Sequence, residues 1–178
     1  MKKVIFTISI LMVFLISACS STRSLQEYFV DNTENPNFIS LDVPASILNI
    51  EEANLTNDQR VALGSLKKMN ILAFKKTTTN VADYKMEKAN VKEILANDDF
   101  NELIKMNTDF GRAVVKYKGD DDAIDEVIIF GDNKDKGFAL VRVLGKDMNP
   151  AHFMQLIQAI QATNFNADGL NIGALFKD

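Results

Sequence analysis

The chain of 178 residues holds a single Cys, Cys19, placed directly after Ile16-Ser17-Ala18. A thiolate is a soft nucleophile and can take a diacylglyceryl group as a thioether, while the two small residues before it let a peptidase close on the scissile bond. After cleavage the Cys amine can accept a further acyl chain. Two or three chains, at about 0.8 kcal/mol per buried methylene, anchor a protein stably where one chain binds reversibly. Other residue patterns offer less. His152, the only His, falls in the first turn of a predicted helix, where the helix dipole disfavours imidazolium, and no Ser in a nucleophile elbow accompanies it. One His and one Cys exclude an internal disulfide and the common zinc sets. Asp120-Asp121-Asp122 fails as a calcium loop, with Ile124 at its fifth position and Asp125 where Gly is required. Asp132-Asn133-Lys134-Asp135 fails as well, with Lys134 at the third position. Gly131 to Gly137 encloses five residues where a phosphate-binding loop has four, and Phe138 follows where Lys is needed. The residues therefore assign no catalytic group, metal ligand or cofactor, and one lipidation site, Cys19.

The surroundings of Cys19 fit that chemistry. Met1-Lys2-Lys3 precedes an apolar run from Val4 to Ile16, interrupted by Thr7 and Ser9, which is the pattern of a secretory signal peptide. A membrane span needs about 20 apolar residues, and this run ends at Ser17. The expected organisation is a lipoprotein signal peptide over residues 1–18, a lipidated tether over 19–24, and an α+β domain over 25–178 whose last stretch, 163–178, packs loosely. Cleavage before Cys19 removes two lysines and no acid, so the formal charge moves from −4 to −6. Such a balance argues against nucleic acid as a partner. Ile16-Ser17-Ala18-Cys19 resembles the lipobox of bacterial lipoproteins. Ser20 in place of Asp after the Cys then implies the outer membrane, and the absence of an acidic cluster there implies a periplasmic face.

The elements follow from periodicity and punctuation. Leu25, Tyr28 and Phe29 share a helix face, and Phe38 to Val43 alternates as a strand. Thr56 with Gln59 forms a capping box that opens a helix through Lys67 or Lys68. Asn70 to Lys75 reads as a strand and Val81 to Ala96 as the longest helix, its Lys85, Lys88 and Lys92 forming a solvated face. Asp98-Asp99 predicts a cap for a short helix with Phe100, Leu103, Ile104 and Met106 on one side. Ala113–Tyr117, Glu126–Phe130 and Phe138–Leu144 are β-rich runs joined by Gly- and Asp-rich turns, a three-stranded meander. Asn149-Pro150 opens a last helix through about Ala162. The expected fold is two-layer α+β, a mostly antiparallel sheet with its helices on one face.

Phe38-Ile39-Ser40-Leu41-Asp42-Val43-Pro44, Asp125 to Phe130 and Gly137 to Met148, behind a lipobox, resemble domain of unknown function 4252, a family of small Bacteroides-type lipoproteins. The resemblance spans about Leu25 to Ala162. It implies an envelope location and brings no catalytic residues. Function is then read first as a non-enzymatic, lipid-anchored binding module with an envelope protein or glycan as partner. The alternative is a carrier or sensor for an apolar small molecule, followed by an envelope hydrolase.

Overall fold

The structure is a computed structural model that describes residues 23–47, 55–108, 110–162 and 176. The expected signal peptide over residues 1–18, Cys19 and nearly all of the 163–178 stretch lie outside the described residues.

In chain order the elements are α1 (Leu25–Asn32), β1 (Phe38–Pro44), a 3-10 turn (Ala45–Ile47), α2 (Asn57–Ser65), β2 (Leu66–Lys75), α3 (Val81–Leu95), β3 (Asn101–Asn107), β4 (Arg112–Asp120), β5 (Ala123–Asn133), β6 (Gly137–Met148) and α4 (Pro150–Ala162). The six strands form one sheet in the order β1-β2-β6-β5-β4-β3, with every neighbouring pair antiparallel. The β1–β2 pair and a β3-to-β6 meander meet where β2 pairs β6, and α3 carries the chain from β2, second from one edge, to β3 at the opposite edge. Among the described residues no helix is long and apolar enough to cross a membrane.

Local chemistry explains the boundaries. Ser24 and Glu27 cap α1 reciprocally, as Thr56 and Gln59 cap α2, so each helix starts with its orphan amides satisfied. Asn149 caps α4 by accepting from the amides of Ala151 and His152. Gly137, at the β5–β6 turn, has φ +125°, and a Cβ there would collide with the Phe74 carbonyl, so only glycine fits.

The α+β class and the antiparallel meander hold, and two expectations are corrected. First, the helices cover both faces. Alternate residues of β2, β5 and β6 are apolar on either side, so one helix layer would leave a greasy face in water. On one side Phe38, Leu72, Phe74, Ile128, Phe130, Phe138 and Leu140 pack against Tyr28, Phe29, Tyr84 and Val91 of α1 and α3. On the other, Met69, Ile71, Val127, Val141 and Val143 pack beneath Phe153 of α4, and α4 meets α2 through Leu156 and Ala62. Phe176 is buried on that side, 4.7 Å ring to ring from Phe110. Second, the predicted helix at 98–106 is the strand β3. Its register on β4 shifts between Glu102 and Ile104, leaving Leu103 as an extra residue. That bulge puts neighbouring apolar residues side by side and imitates helical spacing.

Candidate functional site

On the side of the sheet that α1 and α3 cover, one row of paired residues crosses all six strands: Phe38, Phe74, Phe138, Asp132, Arg112, Asn107. Directly paired residues share a face, so this side changes along the row from three phenylalanines to charge. The adjacent row, Ser40, Leu72, Leu140, Phe130, Val114, Lys105, ends the same way. The apolar cluster under α1 and α3 takes no residue from β3 or β4. Between α3 and these outer strands lies a groove of about 500 Å³, with Val114 and Phe130 in its floor, Lys92 on the helix side, and Lys105 and Arg112 on the strands.

A second opening of about 360 Å³, lined by Tyr84, Lys85, Lys88, Ala89, Lys92 and Lys134, adjoins it and shares Lys92. Among the described residues Asp132 is the one carboxylate in the two linings, and it is already engaged. Lys88 Nζ lies 2.5 Å from Asp132 Oδ2 and donates to Tyr84 Oη at 3.2 Å. Tyr84 Oη in turn donates to Asp132 Oδ1 at 2.9 Å. Burial and then the bond to Asp132 raise the Tyr84 pKa. For Lys88, burial pulls downward but the bonds to Asp132 and Tyr84 outweigh it, and its pKa is raised. Both groups are therefore held as proton donors and not as bases, and the cluster clamps α3 to β5.

The remaining cations differ in what they meet. Lys105 pairs with Glu102 at 2.7 Å, an exposed pair of little energetic weight. Among the described residues neither Lys92 nor Arg112 has an ion-pair partner. The groove can thus hold an anionic or hydrogen-bond-accepting group over a small apolar floor. The other buried charges, Glu126 and Arg142, satisfy each other through two bonds of 2.7 and 2.9 Å and offer nothing to a ligand.

The residues weighed in the sequence are dispersed. His152 sits in the first turn of α4, its Nε2 3.8 Å from Asp58 and its buried Nδ1 without a hydrogen-bond partner among the described residues. Asp121 accepts from Tyr117 Oη at 2.6 Å in the β4–β5 turn. Asn133 Oδ1 accepts from the amides of Asp135 and Lys136, which is turn chemistry. Glu87 of α3 accepts from Tyr28 Oη at 2.9 Å. Among the described residues no three His, Cys, Asp or Glu side chains group as metal ligands. The phenylalanines fill the interior, with Phe74 stacked on Phe138 at 5.5 Å and Phe38 edge-on to Phe74 at 5.1 Å. Missed in the sequence was the meeting of Lys92 with Lys105 and Arg112. The α3 lysines were visible, but Lys105 was hidden inside the predicted helix at 98–106.

Residues 28–156 match the family described as Domain of unknown function (DUF4252), and the chain belongs to that family. No curated protein and no solved structure matches it.

Proposed function

We propose that this member of the Domain of unknown function (DUF4252) family is a lipid-anchored protein of the cell envelope that works by binding, without catalysis, through the groove between α3 and β3–β4. The anchor is Cys19, acylated after removal of residues 1–18, and the domain faces the periplasm from the outer membrane. Support for the anchor comes from Ile16-Ser17-Ala18-Cys19 behind a basic and apolar leader.

The observation that carries the binding role is the uneven cover of one sheet face. Its β1-to-β5 part is sealed by α1 and α3. Its β3–β4 part stays open, with Lys92 and Arg112 unpaired among the described residues at the rim. A groove of that volume is of the size that takes a small ligand or a side-chain anchor of a partner.

The test is site-specific photo-crosslinking in cells, on the anchored protein. A photoreactive residue at Lys105, in the groove, should give a discrete adduct that one at Lys67, outside the groove, does not. Equal yields from both positions, or none from position 105, would contradict the assignment. In the same cells Cys19→Ala should abolish labelling by an alkynyl fatty acid, and persistent labelling would refute the anchor.

A further inference from the structure

We infer that the occupant of this groove is a small organic anion, with a carboxylate or phosphate head held between Lys92 and Arg112 and a short apolar body lying on Val114 and Phe130. The inference rests on reading the groove as the binding site and adds the chemistry of what binds there.

Three features carry it. The cations come from opposite walls, Lys92 from α3 and Arg112 from β4, so a head group between them meets a point charge on one side and a planar fork on the other. The guanidinium suits a group with two oxygen acceptors. Next, among the described residues Lys92 and Arg112 have no ion-pair partner. Asp132 is consumed by Lys88 and Tyr84, and Lys105 pairs with Glu102 at 2.7 Å in an exposed contact of little energetic weight. In a chain of net charge −4, that local excess of positive charge focuses a field that draws anions. Last, Val114 is half-buried and Phe130 buried. Together with the methylene stems of Lys92 and Lys105, they give the groove an apolar floor beneath its charged rim. A bare inorganic anion would leave that floor empty, and a neutral apolar molecule would leave the rim unpaired.

The test uses residues 19–178 with Cys19→Ser, which contain every described element and carry no acyl chain to compete. Sodium octanoate, octan-1-ol and inorganic phosphate are titrated separately at low and high salt, followed by backbone amide shifts. Octanoate should move the amides of Lys92, Arg112, Val114 and Phe130, and should bind more weakly at high salt. Replacing Lys92 and Arg112 together by Met should weaken it about ten-fold or more with the other amide positions unchanged, and Arg112→Lys should restore part of the loss. Octanol binding there as tightly as octanoate would overturn the anionic head while leaving the groove as the binding site. Phosphate binding as tightly as octanoate would overturn the apolar body. If none of the three moves those amides, the anion assignment falls and the groove itself loses its support as a binding site. Octanoate shifts scattered over exposed lysines, unaltered in the double variant, would also overturn the proposal.

Discussion

Two halves of one sheet face, built from the same rows of paired residues, have opposite fates. In the β1–β2–β6 half, Phe38, Phe74 and Phe138 pack ring on ring beneath α1 and Tyr84. In the β4–β3 half, the same rows continue as Arg112, Asn107, Val114 and Lys105, and α3 stands off from them across a groove with Lys92 on its helix side. The first half gains stability from each ring, about 2–3 kcal/mol for a fully buried phenylalanine. The second half gives up that gain and retains a shaped, charged surface. Uneven cover of one continuous sheet separates the part that holds the fold from the part proposed to bind.

The sharpest break of this comparison is Phe138→Ala against Val114→Ala. The first should cost about 3–5 kcal/mol in denaturant unfolding, the second about 1 kcal/mol or less, because Val114 already borders the groove. Equal losses would mean that the open half is as structural as the closed one. Gly137→Ala, at the turn that aligns Phe138 beside Phe74, should cost about 1–3 kcal/mol through its left-handed backbone alone, and the clash of its Cβ with the Phe74 carbonyl adds to that loss.

Alkaline pH should weaken the sealed side in particular. Burial, and then the Glu87 charge, push the Tyr28 pKa up, and burial with the Asp132 bond does the same for Tyr84. Lys88 is raised as well. A folded state that holds these protons longer than the unfolded chain has its full stability below the unfolded values, near pH 10. It loses that contribution as pH rises through the folded ones. Unfolding titrations should therefore show a fall above about pH 10 that the Tyr28→Phe, Tyr84→Phe double variant makes shallower. An unchanged slope would separate these tyrosines from the stability of the fold.

Asp132→Asn sits on the boundary between the halves. It removes the charge that holds Lys88, which should cost about 1–2 kcal/mol, and it leaves the groove more positive, so octanoate should bind more tightly. The smallest stability effect belongs to Lys92→Met and Arg112→Met, within about 0.5 kcal/mol of the parent. A large loss from either would mark it as a structural residue.

Much of this architecture was legible locally. The period of α3, the Thr56–Gln59 box, the Asn149-Pro150 start of α4 and the Gly and Asp turns of the meander are short-range signals that tertiary packing did not override. Lost were features fixed by distant pairing. Strand β3 looks helical because its bulge sets Leu103 beside Ile104, and nothing in the local pattern says that β2 pairs β6 or that α3 crosses the sheet. The alternation of apolar residues on both sides of β2, β5 and β6 did signal two helix layers, but it was read for one. Of the groove, Lys92 alone stood out, within a Lys85, Lys88, Lys92 spacing that reads as a solvated face. Lys105 and Arg112 join it only through the strand order. Cys19, the proposed lipidation residue, was the clearest chemical signal in the chain and lies outside the described residues.

The central claim, that the open half of this face is the binding surface, is tested most directly by residue-resolved hydrogen exchange on residues 19–178 with Cys19→Ser, with and without octanoate. The account predicts slowed exchange in β4 and along α3 around Lys92, with β1, α2 and α4 unchanged. Protection confined to α2 and α4, or the absence of protection anywhere, would contradict it.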